Sequence, residues 1–401
     1  MMRLLYLANA RIPTEKAHGL QIMQNCEALA AAGAQVTLWA AARVNTPELR
    51  SVRDPWAHYG VQRNFRLRRV PSLDVQPWAD QRIAALRRGA FLLQYATYLL
   101  ALFIGLLFAR AEVYYTRDLP TALLLSLIKP RPRIAYEPHR LSRSRIGQAL
   151  QGLAARRAGH LFPVTAHLAE SLIALGAEPA RVHVAHDGIR QQRFAHLPTQ
   201  QAARQQLGWP ENLFIVGYLG RLHTMSMDKG VGTLITALQQ MKGAALALVG
   251  GPDDQAEKLR RQWLDAGLPE AHFLYAGQVP PDAVPLALAA FDVCAMPFPW
   301  TEHFAYHASP IKLFEYMAAG RPIVASDLPA VAEVVQHDES ALLTPPGDAA
   351  ALAVALEQLQ ADPALRARLA AHAREQVFAQ YTWDARARMI LKHVAAQTDE
   401  D

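Results

Sequence analysis

Cysteine is almost missing from this chain. Its two cysteines among 401 residues, Cys26 and Cys294, sit in apolar surroundings without metal-ligand spacing. That excludes a disulfide framework and a thiolate metal site, and it fits a reducing compartment. Low-complexity tracts are also absent, and 51% hydrophobic with 19% charged residues describes a globular protein. No zinc-finger, RNP or basic-zipper pattern accompanies the arginines, which sets nucleic acid aside as a partner. No G-x-G-x-x-G follows the first apolar run, which disfavours a dehydrogenase. In the opening "MMRLLYLANA" the apolar part, residues 4–8, is too short for a signal-peptide core and reads as a first buried strand.

What is present is alternation. The first half runs strand "RLLYLA", a long loop, helix "LQIMQNCEALAAAG", strand "QVTLWA", then "EVYYTR", "RIAYE", "GHLFPVT" and "RVHVAHDG". The second half restarts with "FIVGYLG", helix "GVGTLITALQQM", "AALALVGG", helix "QAEKLRRQWLDAG", "HFLYAG", "VCAMP" and "PIVAS". Strands alternating with helical patterns predict parallel sheets, and this length predicts two domains of about 200 residues each. The fold class is therefore α/β, with two tandem Rossmann-like doubly wound domains at 1–195 and 196–375. A terminal helical segment, 376–401, is placed to cross back to the first domain.

One uncharged run of about 21 residues, "GAFLLQYATYLLALFIGLLFA", is long enough to span a bilayer. Spanning is disfavoured because the strand "EVYYTR" follows at once. The run is either a core helix or an interfacial helix on an anionic membrane, and its flank Arg82, Arg87 and Arg88 favours the second. Net charge is +6, with arginines gathered at 63–69, 82–88, 140–145 and 156–157. Such clusters suit phosphates or anionic lipid, or simply form solvated helix faces.

The stretch "SPIKLFEYMAAGRPIVASD" places Ser309 as N-cap, Pro310 and Ile311 in the first turn and Gly320 at the end of a helix of about three turns. A cation in the first turn, Lys312, is disfavoured by the helix dipole unless an anion sits nearby. Glu315 lies about 9 Å from the anion-binding helix terminus at 1.5 Å per residue. That distance suits a diphosphate followed by a ribose; a surface Lys and a surface Glu are the other reading. In "GYLGRLHTMSMDKG", Arg221 and Lys229 flank the carboxyl edge of the second sheet, where a forked and a point cation suit a leaving diphosphate. "LVGGP" brings Gly250 and Gly251 to the same edge, and backbone groups at Gln278 and Val279 in "YAGQV" could read a base.

The ordered set Gly220-Arg221, Lys229-Gly230, Gly250-Gly251, Gly277-Gln278-Val279 and E-Y-M-A-A-G-R-P from Glu315 resembles the retaining nucleotide-sugar glycosyltransferases of the GT-B fold, family 4 type. The likeness extends over nearly the whole chain. It implies two domains facing each other across a cleft and an acceptor bound by the first domain. It also implies a donor diphosphate held by Arg221 and Lys229, a ribose held by Glu315, phosphate contact at Ser309 and Gly19, and His139 facing the reacting sugar.

Two positions depart from the family pattern. His307 stands where the resemblance calls for the first carboxylate of an E-x7-E motif, and Ala17-His18-Gly19 replaces paired glycines. His303 and His307 have metal-motif spacing but sit in a loop without a third ligand. The D-x-D pattern lies only at the terminus, 399–401, so no metal is expected at the diphosphate. The implied activity is retaining transfer of a hexosyl group from a nucleotide sugar to a glycan or lipid-linked acceptor. It needs no cofactor and takes place in the cytoplasm or at the inner face of the membrane. A nucleotide-sugar epimerase and a non-catalytic nucleotide-sugar-binding subunit are the alternatives.

Overall fold

The computed structural model describes residues 1–79, 83–224, 227–307, 309 and 311–396, excluding the side chain of His307. Arg82, Pro310, the His307 side chain and the terminal D-x-D therefore lie outside the described residues. The chain divides into two units. The first comprises Met1–His186 and the returning helix Trp383–Ala396; the second is Asp187–Thr382.

In the first unit, β1 (Arg3–Ala8), β2 (Gln35–Ala41), β3 (Arg66–Val70), β4 (Val113–Thr116), β5 (Ile134–Tyr136) and β6 (His160–Leu161) form one parallel sheet. Its order is β3-β2-β1-β4-β5-β6. Alternation of side chains along each strand divides the core in two. Leu4, Tyr6 and Tyr115 join the helices Ala17–Ala31 and Trp383–Ala396, while Leu5, Leu7 and Tyr114 join Tyr98, Leu102, Leu125 and Ala154 on the other side.

In the second unit, β7 (Phe214–Leu219) is followed by a two-stranded hairpin, β8 (His223–Thr224) and β9 (Met227–Asp228). The sheet continues with β10 (Ala244–Val249), β11 (Phe273–Gly277), β12 (Val293–Met296), β13 (Ile323–Ser326) and β14 (Leu342–Thr344). Its order, β11-β10-β7-β12-β13-β14, repeats that of the first sheet. In both units the order reverses beside the first strand, which opens a crevice at the carboxyl ends of the strands.

Several elements differ from the sequence reading. The "RLRRV" stretch is edge strand β3 and not a solvated helix face; charge on an edge is a common guard against further strand pairing. "RVHVAHDG" forms only a bridge between Leu161 and Val182, because Pro163 has no N–H with which to continue the ladder. The helix predicted from Ser309 runs Ile311–Ala318, shorter than three turns, and ends at a left-handed Gly320 with φ +62°. The "HFAYH" segment is a π-helical turn, His303–His307, rather than a loop.

Candidate active site

β7 carries a run of buried side chains, Phe214 to Leu219, to the switch point of the second sheet. There Gly220 turns left-handed at φ +122°, and its N–H donates to the Val249 carbonyl at 2.7 Å. A Cβ at Gly220 would lie 3.0 Å from Lys312 Nζ, so the missing side chain admits that ammonium to the strand end. Lys312 Nζ donates to Tyr218 Oη at 2.7 Å, and Tyr218 in turn donates to the Arg221 carbonyl at 2.8 Å.

The ring of Phe298, just beyond β12, gathers two cations. Lys312 Nζ stands 5.2 Å and Lys229 Nζ 5.8 Å from its centroid. Burial, then the charge of Arg221, pushes the Lys229 ammonium down to about 8. Burial, then Lys229, pushes Lys312 well below its ordinary value, with Glu315 opposing only in part. Burial pushes the Glu315 carboxyl up to about 7, against the pull of Arg193 and Lys312. Among the described residues, no hydrogen bond or ion pair within the protein holds the Arg221 guanidinium, the Lys229 ammonium or the Glu315 carboxylate. Cations crowded at a helix N-terminus without a carboxylate in ion-pair contact favour an anion there.

Other predicted residues fall around this centre. Gly251 packs beside Gln278, whose Cγ and Nε2 would lie 3.3 Å from an added Cβ. Gln278 is exposed, and the Val279 side chain packs on the core, leaving its backbone at the edge. Ile311 opens the helix and donates its N–H to the Ser309 carbonyl at 3.1 Å. The Ser309 hydroxyl accepts from the Asp187 N–H at 3.3 Å. Sequence reasoning missed Tyr218, Phe298 and Arg193; the first two lie in apolar runs that give no sign of contact with a lysine.

Two predicted residues belong to the first unit. Gly19 sits where an added Cβ would lie 2.4 Å from Thr14 Cγ2 and 2.5 Å from Tyr59 Oη, so packing alone requires a glycine there. His139 follows β5. Arg117 Nη2 lies 2.9 Å from His139 Nδ1, and because a guanidinium only donates, Nδ1 accepts. The ring proton is then on Nε2, which donates to Glu137 Oε1 at 2.5 Å. Glu137 is buried and also meets Arg386 at 2.9 Å and the Tyr115 hydroxyl. Burial alone would push its carboxyl up, but Arg386, His139 and Arg117 hold it well below the carboxylate range. Neither Glu137 nor Arg386 was singled out in the sequence, since 249 positions separate them and no local pattern joins them.

Two parallel sheets of one strand order, the second with Lys229 and Lys312 gathered at its switch point, define a tandem Rossmann-like protein. Comparison with known proteins narrows that class. A family model described as "Glycosyl transferase 4-like domain" matches residues 18–188, and one described as "Glycosyl transferases group 1" matches 214–362. The chain belongs to the GT-B glycosyltransferases of family 4 type.

Among similar curated proteins is a phosphatidyl-myo-inositol mannosyltransferase of Mycobacterium leprae, 34% identical over 210 residues, 51% of this chain and 53% of that protein. Another is a 2-deoxystreptamine N-acetyl-D-glucosaminyltransferase of Streptomyces fradiae, 30% identical over 229 residues, 54% of this chain and 52% of that one. The chain thus spans about half the length of these curated relatives. Among solved structures, sucrose-phosphate synthase from Thermosynechococcus elongatus superposes with a TM-score of 0.76 at 21% identity, covering 100% of both chains. Anabaena HepE in complex with UDP and glucose gives 0.69 at 20%, covering 99% of this chain and 100% of that one. At such identities the structural likeness concerns the fold.

Proposed function

We propose that the protein transfers a hexosyl group from a nucleoside-diphosphate sugar to an acceptor taken up by the first unit, with retention of anomeric configuration. The observation that carries this reading is the convergence of Lys229 and Lys312 on Phe298 beside Arg221, at the N-terminus of the helix that holds Glu315. The diphosphate would lie across the ammonium groups and the helix terminus, and Glu315 would accept hydrogen bonds from the ribose hydroxyls. Gln278 and Val279 would meet the base, and Ser309, Pro310 and Ile311 the phosphate.

As the donor C–O bond breaks, negative charge gathers on the departing phosphate. Fixed cations stabilise that charge more than the ground state. The acceptor hydroxyl attacks the anomeric carbon from the same face and passes its proton to the departing phosphate oxygen. Arg221 and Lys229 take the part that a divalent metal plays elsewhere. His139 and His307 would face the sugar. The acceptor would be a lipid-linked or cell-envelope glycan met by a cytoplasmic protein at the membrane's inner face; a relative named for phosphatidyl-myo-inositol supports the lipid-linked acceptor.

Calorimetry with UDP and GDP, together with transfer assays on lipid extracts, tests the reading. Lys229→Ala removes a charge-assisted phosphate contact of about 1.5–3 kcal/mol, so affinity and turnover should each fall at least tenfold. Glu315→Gln should weaken the free nucleotide and the donor alike. Unchanged nucleotide affinity in both variants would overturn the site.

A further inference from the structure

The helix Ala84–Phe108 of the first unit buries Ala90, Gln94, Tyr98, Leu102 and Leu106, a stripe of every fourth residue against the sheet. Two residues further on, about 200° around the helix, runs a second stripe. It contains Leu92, Leu100, Ile104 and Phe108, which are 65%, 62%, 51% and 82% exposed. The neighbouring helix Leu119–Ile128 packs against it and exposes Leu127. On the far side of that helix, Arg145–Arg157 exposes Ile146, Leu150 and Leu153, spaced i, i+4 and i+7 on one face. All three helices cover the same side of the sheet. Exposed apolar stripes on two helices of one layer, with Leu127 on the helix between them, differ from the single exposed leucines of an ordinary surface.

The charge along these helices is mostly positive. From residue 84 to residue 165 the chain carries twelve arginines and lysines against three carboxylates. All three carboxylates are engaged: Glu112 pairs with Arg3 at 2.6 Å, Asp118 accepts the Asn9 N–H at 2.7 Å and Glu137 meets Arg386. Arg87, Arg88, Arg110, Arg143 and Arg145 are exposed.

We propose that this face docks on an anionic lipid bilayer, with the Ala84–Phe108 helix lying in the headgroup plane. The helix does not span, because its buried stripe is fixed to a sheet whose strands β3 and β4 bracket it in sequence. A second copy of the chain is the poorer occupant, since pairing this face with itself would set arginine against arginine. Anionic headgroups supply the opposite charge, and acyl chains accept the leucines. The proposal does not rest on the transferase reading.

The test is co-sedimentation of the full chain with vesicles of phosphatidylcholine, alone or mixed with phosphatidylglycerol. Binding should require the anionic lipid and fall at least tenfold between about 0.1 M and 0.5 M salt. Arg87→Glu/Arg88→Glu and Leu100→Ser/Ile104→Ser should each weaken binding at least tenfold, with unchanged circular dichroism and unchanged UDP affinity. Lys229→Ala should bind vesicles like the wild type, which separates failure of this proposal from failure of the donor site. Protein remaining in the supernatant with anionic vesicles, or binding indifferent to lipid charge and salt, overturns it. So does a dimer in sedimentation velocity that Leu100→Ser/Ile104→Ser dissolves without any effect on vesicles.

Discussion

A Cβ placed on Gly250 would stand 2.0 Å from the carbonyl oxygen of Gly220. The loops after β7 and β10 therefore touch backbone to backbone, and Gly250 holds its place at φ +138° with its N–H donated to the Gly277 carbonyl at 2.7 Å. Gly250→Ala adds a clash with main chain to a left-handed strain of about 1–3 kcal/mol. Urea unfolding should show at least that loss, and calorimetry should show weaker nucleotide binding, because the displaced Gly220 loop carries Arg221.

Binding of a nucleoside diphosphate should be tightest between about pH 7 and 8. Burial brings Lys229 down to about 8 and Glu315 up to about 7, so above that window the lysine loses its proton and below it the carboxylate gains one. An arriving diphosphate raises the lysine again, so binding above pH 8 takes up protons. Calorimetry in buffers of different ionisation enthalpy should detect that uptake, and Lys229→Met should reduce it, leaving the part that belongs to Lys312. Stability of the free protein follows the same signs. Between about 8 and the ordinary 10.5 the unfolded chain holds more protons at Lys229, so that contribution to stability rises with pH. Between 4.5 and about 7 the folded chain holds more at Glu315, so its contribution falls as pH rises.

Arg386→Ala should cost about 3–5 kcal/mol in denaturant unfolding, because it strips the buried Glu137 carboxylate of its nearest guanidinium. Adding Glu137→Gln should recover part of that loss. The native carboxyl is held below its ordinary 4.5, so its stabilisation is present above that value and is lost as pH falls. Acid unfolding of Glu137→Gln alone should therefore be shallower than that of the wild type.

Transfer should persist in EDTA, with Arg221→Ala lowering turnover at least tenfold, a change of about 1.4 kcal/mol or more in the barrier. Loss of activity in EDTA restored by manganese would contradict the cationic site.

His307→Glu should change the ranking of competing sugar donors, because a carboxylate offers two acceptor oxygens where a neutral imidazole offers one. Equal donor ranking in competition assays, with turnover unchanged in His307→Ala, would leave His307 outside the sugar pocket.

The sequence by itself determined the two sheets, since buried parallel strands such as "FIVGYL" and "AALALV" are apolar throughout and helices separate them. It also placed Arg221, Lys229, Lys312 and Glu315 within a few residues of a strand end or helix start, because local chemistry marks those ends. Tertiary structure decided what depends on distant partners. "RLRRV" became a strand because β2 offered an open edge, against its own charge. Gly19 is fixed by Tyr59, forty positions away, and the tautomer of His139 by Arg117 together with a carboxylate that Arg386 keeps ionised. Helical periodicity left open whether residues 84–108 were core. Only packing on the sheet showed that one stripe is buried and its opposite is not, because burial is set by neighbours that hydrophobicity alone does not name.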